Sequence, residues 1–404
     1  MHVDRRQFIR MTAVGLFTAV LAPDELLAGT RAARRLRRSR GLPRRNRHRT
    51  AGPQPSVGPE GAIVVKAPTD GTDVTQIILT AIAAAPDGAT LFFPPGRYRC
   101  EGSLKVTDRV GLTFTGPATF YATERGKLDN QGNSQRRHWW FVRCRDITVK
   151  DIRVESINTK ADQRPGFGSY LWNHEFEHGF AFHECAGIVV EDCSTYGTYG
   201  DGLYLGNEAP TTNVRVSGLV VEYNGRQGVA LSNCEGVLLE NVQIRNTRRA
   251  GFDLEPALSS WRVRDVEIRN SSINGYHVAF AAGGDGDVSG IHIHHNTVAG
   301  PGVPWVHVGA TDGTRRRNWR IEDNVIQDWL GSPEPAFRFV NVDDIAIRRN
   351  VCHIASQQSR LPIRFTDCRG TLEVTNNDFR AANRVYEAKG KTSPVISAGN
   401  RLSA

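Results

Sequence analysis

The sequence predicts an all-β fold wound as a parallel β-helix, and three observations predict it. The first is a repeat: Ile293-x-x-Asn296-x-Val298 returns as Ile321/Asn324/Ile326, Ile347/Asn350/Cys352 and Val374/Asn377/Phe379. Upstream, an apolar pair persists with Asn or Asp two residues after its first member, as Ile268/Asn270/Ile273, Leu239/Asn241/Ile244 and Val149/Asp151/Val154; Val190/Asp192 and Val216/Val221 keep part of it. From Val190 to Val374 the intervals run from 23 to 29 residues, which makes each repeat one structural unit. The second is alternation: runs such as "GIVVED", "GVLLEN" and "DIAIRRN" read as strands with one buried face. The third is the lack of long helical periodicity within the repeats. Three short strands and three turns consume a repeat, and each coil stacks on the next at about 4.8 Å. The recurrent Asn is expected at a tight turn, where it tolerates left-handed backbone angles, with its side chain hydrogen-bonded from coil to coil.

The chain has 404 residues, 39% hydrophobic and 23% charged, with a net charge of +9. That charge is local. Residues 1–50 hold 13 Arg and 3 acidic residues, whereas 51–404 carries a net charge of −1. The main body therefore gives no support for nucleic-acid binding. "DRRQFIR" (Asp4–Arg10), the apolar run Met11–Leu21 and Pro23 resemble a twin-arginine export signal over 1–28, which places the protein in the periplasm, at the cell surface or outside the cell. The apolar run is too short to span a bilayer. Residues 29–59 are Arg-rich and expected to be a disordered linker, leaving 60–404 as the β-helix domain.

That domain opens with an amphipathic helix over Asp73–Ala85, with Ile77, Ile78, Ala81 and Ile82 apolar, followed by a strand and turn in "GATLFFPPGRY". Cys144, Cys185 and Cys234 each precede the repeat reference by five residues, so they fall in one column as buried thiols. The interval from Val149 to Val190 is 41 residues, an excess that locates a loop insertion at 158–179, "NTKADQRPGFGSYLWNHEFEHG". Long loops on a regular scaffold often carry binding residues. Tyr170, Trp172 and Phe176 are candidates to stack on sugar rings, with His178 beside them.

With these features, residues 60–400 resemble the right-handed parallel β-helix superfamily of pectate lyases and polygalacturonases. The resemblance implies a right-handed, single-stranded β-helix whose open end is capped by the N-terminal helix. It also implies a polysaccharide partner. Asp201 is similar to the acidic strand-edge positions of polygalacturonases. The paired aspartate and Arg-x-Lys of that family are missing, and the calcium and arginine motifs of pectate lyases are not visible, so no single activity carries over.

The candidate chemistry lies on one strand of each coil: "GFAFHE", "GLYLGN", "GVALSN", "GFDLEP", "HVAFAA", "WVHVGA", "AFRFVN" and "PIRFTD". Alternation puts Ala181, Tyr204, Ala230, Asp253, Ala279, His307, Arg338 and Arg364 in one outward column. Another begins His183, Gly206, Ser232, Glu255, Ala281, and a preceding one contains Gly202, Gly228, Gly251, His277 and Trp305. Small residues among polar ones suggest a shallow groove for an extended polymer. Asp253 and Glu255, at i and i+2, have Cα atoms about 6.5–7 Å apart, which suits the carboxyl separation of an inverting glycosidase.

Three functions remain open. Glycoside hydrolysis would use Asp253, Glu255 and Asp201 as catalytic residues. Uronate lyase or epimerase chemistry would use His277 or Tyr204 as base, with Arg226 or Arg338 neutralising the uronate. A carbohydrate-binding or surface solenoid would have no chemistry. His183, His307 and His178 are further candidate binding residues.

No cofactor is required, although "GGDGD" (Gly283–Asp287) could bind Ca²⁺ weakly. A monomer is expected. In "IHIHHN" (291–296), His292 and His294 point outward between Glu267 and Arg320 and between Arg269 and Glu322, which reads as a charge ladder rather than a metal site.

Overall fold

In the computed structural model, strands stack through three parallel sheets of 13, 11 and 11 strands. Residues 59–68, 70–158, 169–275, 278–299, 305–310, 314–329, 335–354 and 361–402 are described. The expected export signal and linker, His277 and part of the insertion lie outside them.

Each full coil contributes one strand to each sheet, the largest sheet has one further strand at either end, and every strand pairing is parallel. The register follows the repeat: Val149, Val190, Val216, Leu239, Ile268, Ile293, Ile321, Ile347 and Val374 stand level in successive coils. All nine are buried in one continuous core. Aromatic side chains stack along the inside, as in Phe141 on Phe182 (4.7 Å) and Phe252 on Phe280 (5.2 Å).

The helix spans Thr75–Ala84 and joins this core through Ile78 and Ile82. Asp73 starts it, its Oδ1 accepting from the Thr75 backbone N–H at 3.0 Å. Arg109 ends it by donating to the Ile82 and Ala85 carbonyls. Ile77 is the exception to the expected apolar face: it is 57% exposed, because it lies one residue off the stripe made by Ile78 and Ile82.

Asparagine does two separate jobs at the corner after this strand. Two residues after the reference the backbone is left-handed, at Asp151, Asp192, Asn241, Asn270, His295, Asp323, Arg349 and Asn376. One residue later comes the ladder. Asn296, Asn324, Asn350, Asn377 and Asn400 are each linked to the next through side-chain amides at 2.9–3.0 Å. Their backbone N–H groups also donate to the next Oδ1. The ladder residues are absent from the left-handed set, so the expectation that they supply the tight turn is corrected. In the earlier coils the same position is filled by Ile152, Cys193, Leu219 and Val242, all buried.

Asn350→Ala should therefore cost on the order of 3–5 kcal/mol, since it leaves Asn324 N–H without its acceptor and removes the amide bonds to Asn324 Nδ2, Ile321 O and Asn377 Oδ1 in a buried column. Asn400→Ala, at the half-buried end, should cost far less. Urea unfolding midpoints of the two variants check this, and equal shifts would contradict it.

All seven cysteines are free and buried. Cys144, Cys185 and Cys234 share a column as expected, with Thr211 between the last two. The outward histidines sit where alternation puts them, level with Glu267 and Arg320 and with Arg269 and Glu322. Their partners are diagonal: His292 Nε2 lies 3.3 Å from Glu322 Oε2, and His294 Nε2 lies 3.1 Å from Glu267 Oε1. Among the described residues no three His, Cys, Asp or Glu side chains converge as a metal site. In the "GGDGD" loop the carbonyls of Gly283, Gly284 and Gly286 accept from the buried Arg316 guanidinium. Asp287 pairs with Arg264. The Asp287 carboxylate and these three carbonyls thus face guanidinium groups. Among the described residues no helix is long and apolar enough to cross a membrane.

Candidate active site

The candidate strands form one 11-stranded sheet, and its register brings most of the predicted residues to one wall. Lys105, Trp140, Ala181, Tyr204, Ala230, Asp253, Ala281, His307, Arg338 and Arg364 stand level in successive strands. Ala281 occupies the place expected for Ala279. In "HVAFAA" the inward pair is Phe280 and Ala282, and the small Ala282 takes the position that larger residues fill elsewhere, so pairing by bulk slips by two. Trp305 is also corrected: it is fully buried, edge-on to Phe280 and Phe337, and belongs to the core. His277 lies outside the described residues.

The glycines do not make the groove. A Cβ at Gly202, Gly228 or Gly251 would meet the next coil's carbonyl oxygen at 2.6–2.8 Å, so close backbone approach requires them. Gly206 is different, because a Cβ there would come within 3.0 Å of the Tyr204 hydroxyl. The wall is recessed rather than open: Ala181, His183, Ala230, Ser232, Asp253 and His307 are all buried.

At its centre four carboxylates surround one arginine. Arg226 Nη1 donates to Asp201 Oδ2 at 2.9 Å, Nη2 lies 3.6 Å from Glu255 Oε2, and Nε lies 3.7 Å from Glu175 Oε2. The fourth, Asp253, is reached through Gln227. Its backbone N–H donates to Asp201 Oδ1 at 2.9 Å and its Nε2 donates to Asp253 Oδ2 at 2.5 Å. Gln227 Oε1 accepts from the Ala250 N–H at 2.7 Å, which fixes the amide so that its donor faces Asp253. A proton on Asp253 then belongs on Oδ1.

Burial pushes the Asp253 carboxyl well above the ordinary carboxylate range, and the charge of Glu255 adds to this. Burial acts on Asp201 in the same direction, but Arg226 and His178 outweigh it and hold that carboxyl below the usual range. Burial opposes the charge on Arg226, yet Asp201, Glu175, Glu255 and Asp253 keep it firmly protonated. The wall thus sets two buried carboxyls apart, Asp253 shifted up and Asp201 shifted down.

Tyr204 and the histidines frame this cluster. The His178 ring stacks on Tyr204 at 4.8 Å, and its Nδ1 accepts from the Asp201 backbone N–H at 3.1 Å. Burial lowers the pKa of His178 and raises that of Tyr204. Tyr204 is therefore a phenol at neutral pH, a donor rather than the base foreseen for lyase chemistry. His307, two strands beyond Asp253, is pushed down to about 4 by burial and by Arg338.

The insertion reaches the site from the side. Tyr170 is 38% exposed and donates to Glu175 Oε2 at 3.0 Å, and Arg249 lies over its ring. Trp172 is 55% exposed and begins a short 3₁₀ turn, Trp172–His174. Glu177 anchors the loop through Arg136 (2.6 Å) and His174 in a fully buried pairing. Three predicted roles change. Arg226 is committed to the protein's own carboxylates. Asp201 is fully buried with both oxygens taken. His178 is only 2% exposed and holds Asp201 rather than facing solvent.

Sequence reasoning missed Gln227 and Glu175. Gln227 stands level with Asp201, which extending the register one residue beyond Gly228 would have revealed. Glu175 comes from the insertion, where no repeat exists to place it.

The profile of the family described as "Right handed beta helix region" matches residues 171–326 and 212–393, together more than half of the chain. No curated protein matches. Similar solved structures include the Family 28 exopolygalacturonase of Yersinia enterocolitica (13% identity, 84% of this chain and 76% of that chain, TM-score 0.56). PfbA, a surface adhesin of Streptococcus pneumoniae, is similar at 12% identity (85% and 91%, TM-score 0.56). A tailspike protein of E. coli bacteriophage HK620 in complex with pentasaccharide is similar at 11% identity (85% and 67%, TM-score 0.57). At these identities the likeness is one of fold.

Proposed function

This chain belongs to the right-handed β-helix family, and on that basis we propose that it hydrolyses glycosidic bonds in a polysaccharide. The observation that carries the proposal is the pairing of the buried Asp253, whose carboxyl burial pushes well above the ordinary range, with Glu255, whose side chain is 23% exposed. Glycoside hydrolysis needs two such carboxyl groups, one that gives a proton and one that stays charged.

In this reading Asp253 Oδ1 protonates the leaving oxygen, and Glu255 activates a water on the opposite face of the sugar. Gln227 fixes Asp253, and Asp201 with Arg226 holds the local charge in balance, so these three are positioning residues. Tyr204, with its hydroxyl protonated, serves as a hydrogen-bond donor to the sugar. Tyr170 and Trp172 offer stacking faces at the edge. The exopolygalacturonase and the pentasaccharide-bound tailspike share the fold, which supports saccharide as the ligand class.

A panel of polysaccharides with product analysis tests the proposal. New reducing ends of inverted configuration, without unsaturated uronate, are expected. Ultraviolet-absorbing unsaturated ends would replace hydrolysis by lyase chemistry, and retention in a polysaccharide gel with no product would leave a binding solenoid.

Export belongs to the same proposal, motivated by Arg5 and Arg6 ahead of the apolar run. A variant with both arginines changed to lysine should stay inside the cell; undiminished export would overturn that point.

A further inference from the structure

The charge ladder of "IHIHHN" leaves one contact unexplained. His292 Nε2 faces Glu322 and His294 Nε2 faces Glu267, but His294 Nδ1 lies 2.7 Å from His295 Nδ1. Neighbours along a strand point to opposite faces, so this meeting needs a reversal of the chain. The left-handed backbone of His295 (φ 55°) supplies it and turns the two rings towards each other. In other coils the same corner is held by Asp151, Asn241, Asn270 or Arg349.

Hydrogen placement decides what the pair can do. A carboxylate only accepts, so Glu267 Oε1 takes the hydrogen of His294 Nε2 at 3.1 Å, and the neutral His294 ring presents a bare lone pair at Nδ1. A histidine whose far nitrogen is held by a carboxylate in this way is an oriented metal ligand. His295 Nδ1 donates to that lone pair. Because His295 is exposed, it can give up this proton and take one from water at Nε2, and both Nδ1 lone pairs then converge.

Their spacing selects the metal. Two nitrogens bonded at about 2.0–2.1 Å stand about 2.9 Å apart at a right angle and about 3.3 Å apart at the tetrahedral angle. The 2.7 Å separation is closer to the first. Right-angled nitrogen and oxygen ligands are the tetragonal set of copper(II), which also leads the divalent series in affinity.

We propose that His294 Nδ1 and His295 Nδ1 chelate copper(II), with water in the remaining positions. Asp323, one residue beyond the level pair His294 and Glu322, adds no ligand, since both its oxygens accept from Arg349 at 2.8 Å. Arg348 is likewise paired, with Glu322 and Glu373, which limits repulsion of a cation. The site lies on the 13-stranded sheet and not on the sheet that carries Asp253, so it stands or falls apart from the hydrolase reading.

The test titrates copper(II) into the metal-free full chain in a weakly basic, non-chelating buffer, with calorimetry for affinity and electron spin echo spectroscopy for the nitrogen ligands. A bound copper coupled to two imidazoles is expected. His294→Gln or His295→Asn should weaken it on the order of 10²-fold, because the second imidazole binds intramolecularly. Asparagine suits the left-handed corner, as at Asn241 and Asn270, so His295→Asn keeps the fold. Glu267→Ala should weaken binding on the order of tenfold by releasing the His294 ring.

A copper signal unchanged in both histidine variants would overturn the site and assign the metal to other residues, such as His2 or His48. So would an absence of binding, or coupling to a single imidazole in the wild type. Zinc(II) should bind more weakly; equal affinity for zinc(II) would overturn the assignment to copper.

Discussion

Asp253→Asn should lower kcat for polysaccharide hydrolysis by about 10²- to 10⁴-fold, the usual contribution of a positioned acid or base. Asparagine keeps the shape and still offers an oxygen to Gln227 Nε2, so the loss is of a proton and not of the fold. Glu255→Gln should have an effect of similar size through the other role. Activity should also fall as pH rises through the raised pKa of Asp253. Steady-state rates and pH profiles of both variants check this, and full activity in both would sink the assignment.

The same group links stability to pH. Its folded-state pKa lies above the unfolded value, so the folded chain binds more proton between the two. The Asp253 contribution is then present below about 3.9 and is lost as pH rises through the folded pKa. Asp253→Asn removes that loss. It should be little different from wild type at pH 3 and more stable than wild type in the alkaline range, as denaturant titrations would show.

Arg226→Met should destabilise the fold by about 3–5 kcal/mol, the cost of leaving buried charge without its partner. Asp201, fully buried, would lose its ion pair, and Glu175 and Glu255 would lose their shared counter-charge. Arg226→Lys should recover part of this, since one ammonium cannot serve three carboxylates in three directions. The loss in Arg226→Met should shrink in acid as the carboxylates protonate. An unchanged urea midpoint would contradict the charge balance described for the wall.

The winding was legible because it is periodic. Val149 to Val374 fell into register from spacing alone, and so did the outward histidines and the cysteine column. Tyr204, Asp253, His307 and Arg338 were placed on one wall for the same reason. What sequence did not show depends on contacts without a period. The slip at "HVAFAA" arose because Ala282 packs inward where bulk was expected. The glycines read as room for a ligand are there for backbone packing between coils. Asparagine was recognised, but its two corner positions, one for the turn and one for the ladder, were merged. Gln227 and Glu175 acquire meaning only from partners on another coil or from a loop that has no register.

The most direct measurement is a carbon-13 titration of the aspartate carboxyls, comparing the protein with Asp253→Asn. One carboxyl resonance should remain protonated at neutral pH and vanish in the variant, while a second stays ionised to unusually low pH and loses that property in Arg226→Met. A spectrum in which every aspartate titrates in the ordinary carboxylate range would show that the wall holds no neutral acid, and the hydrolytic site would go with it.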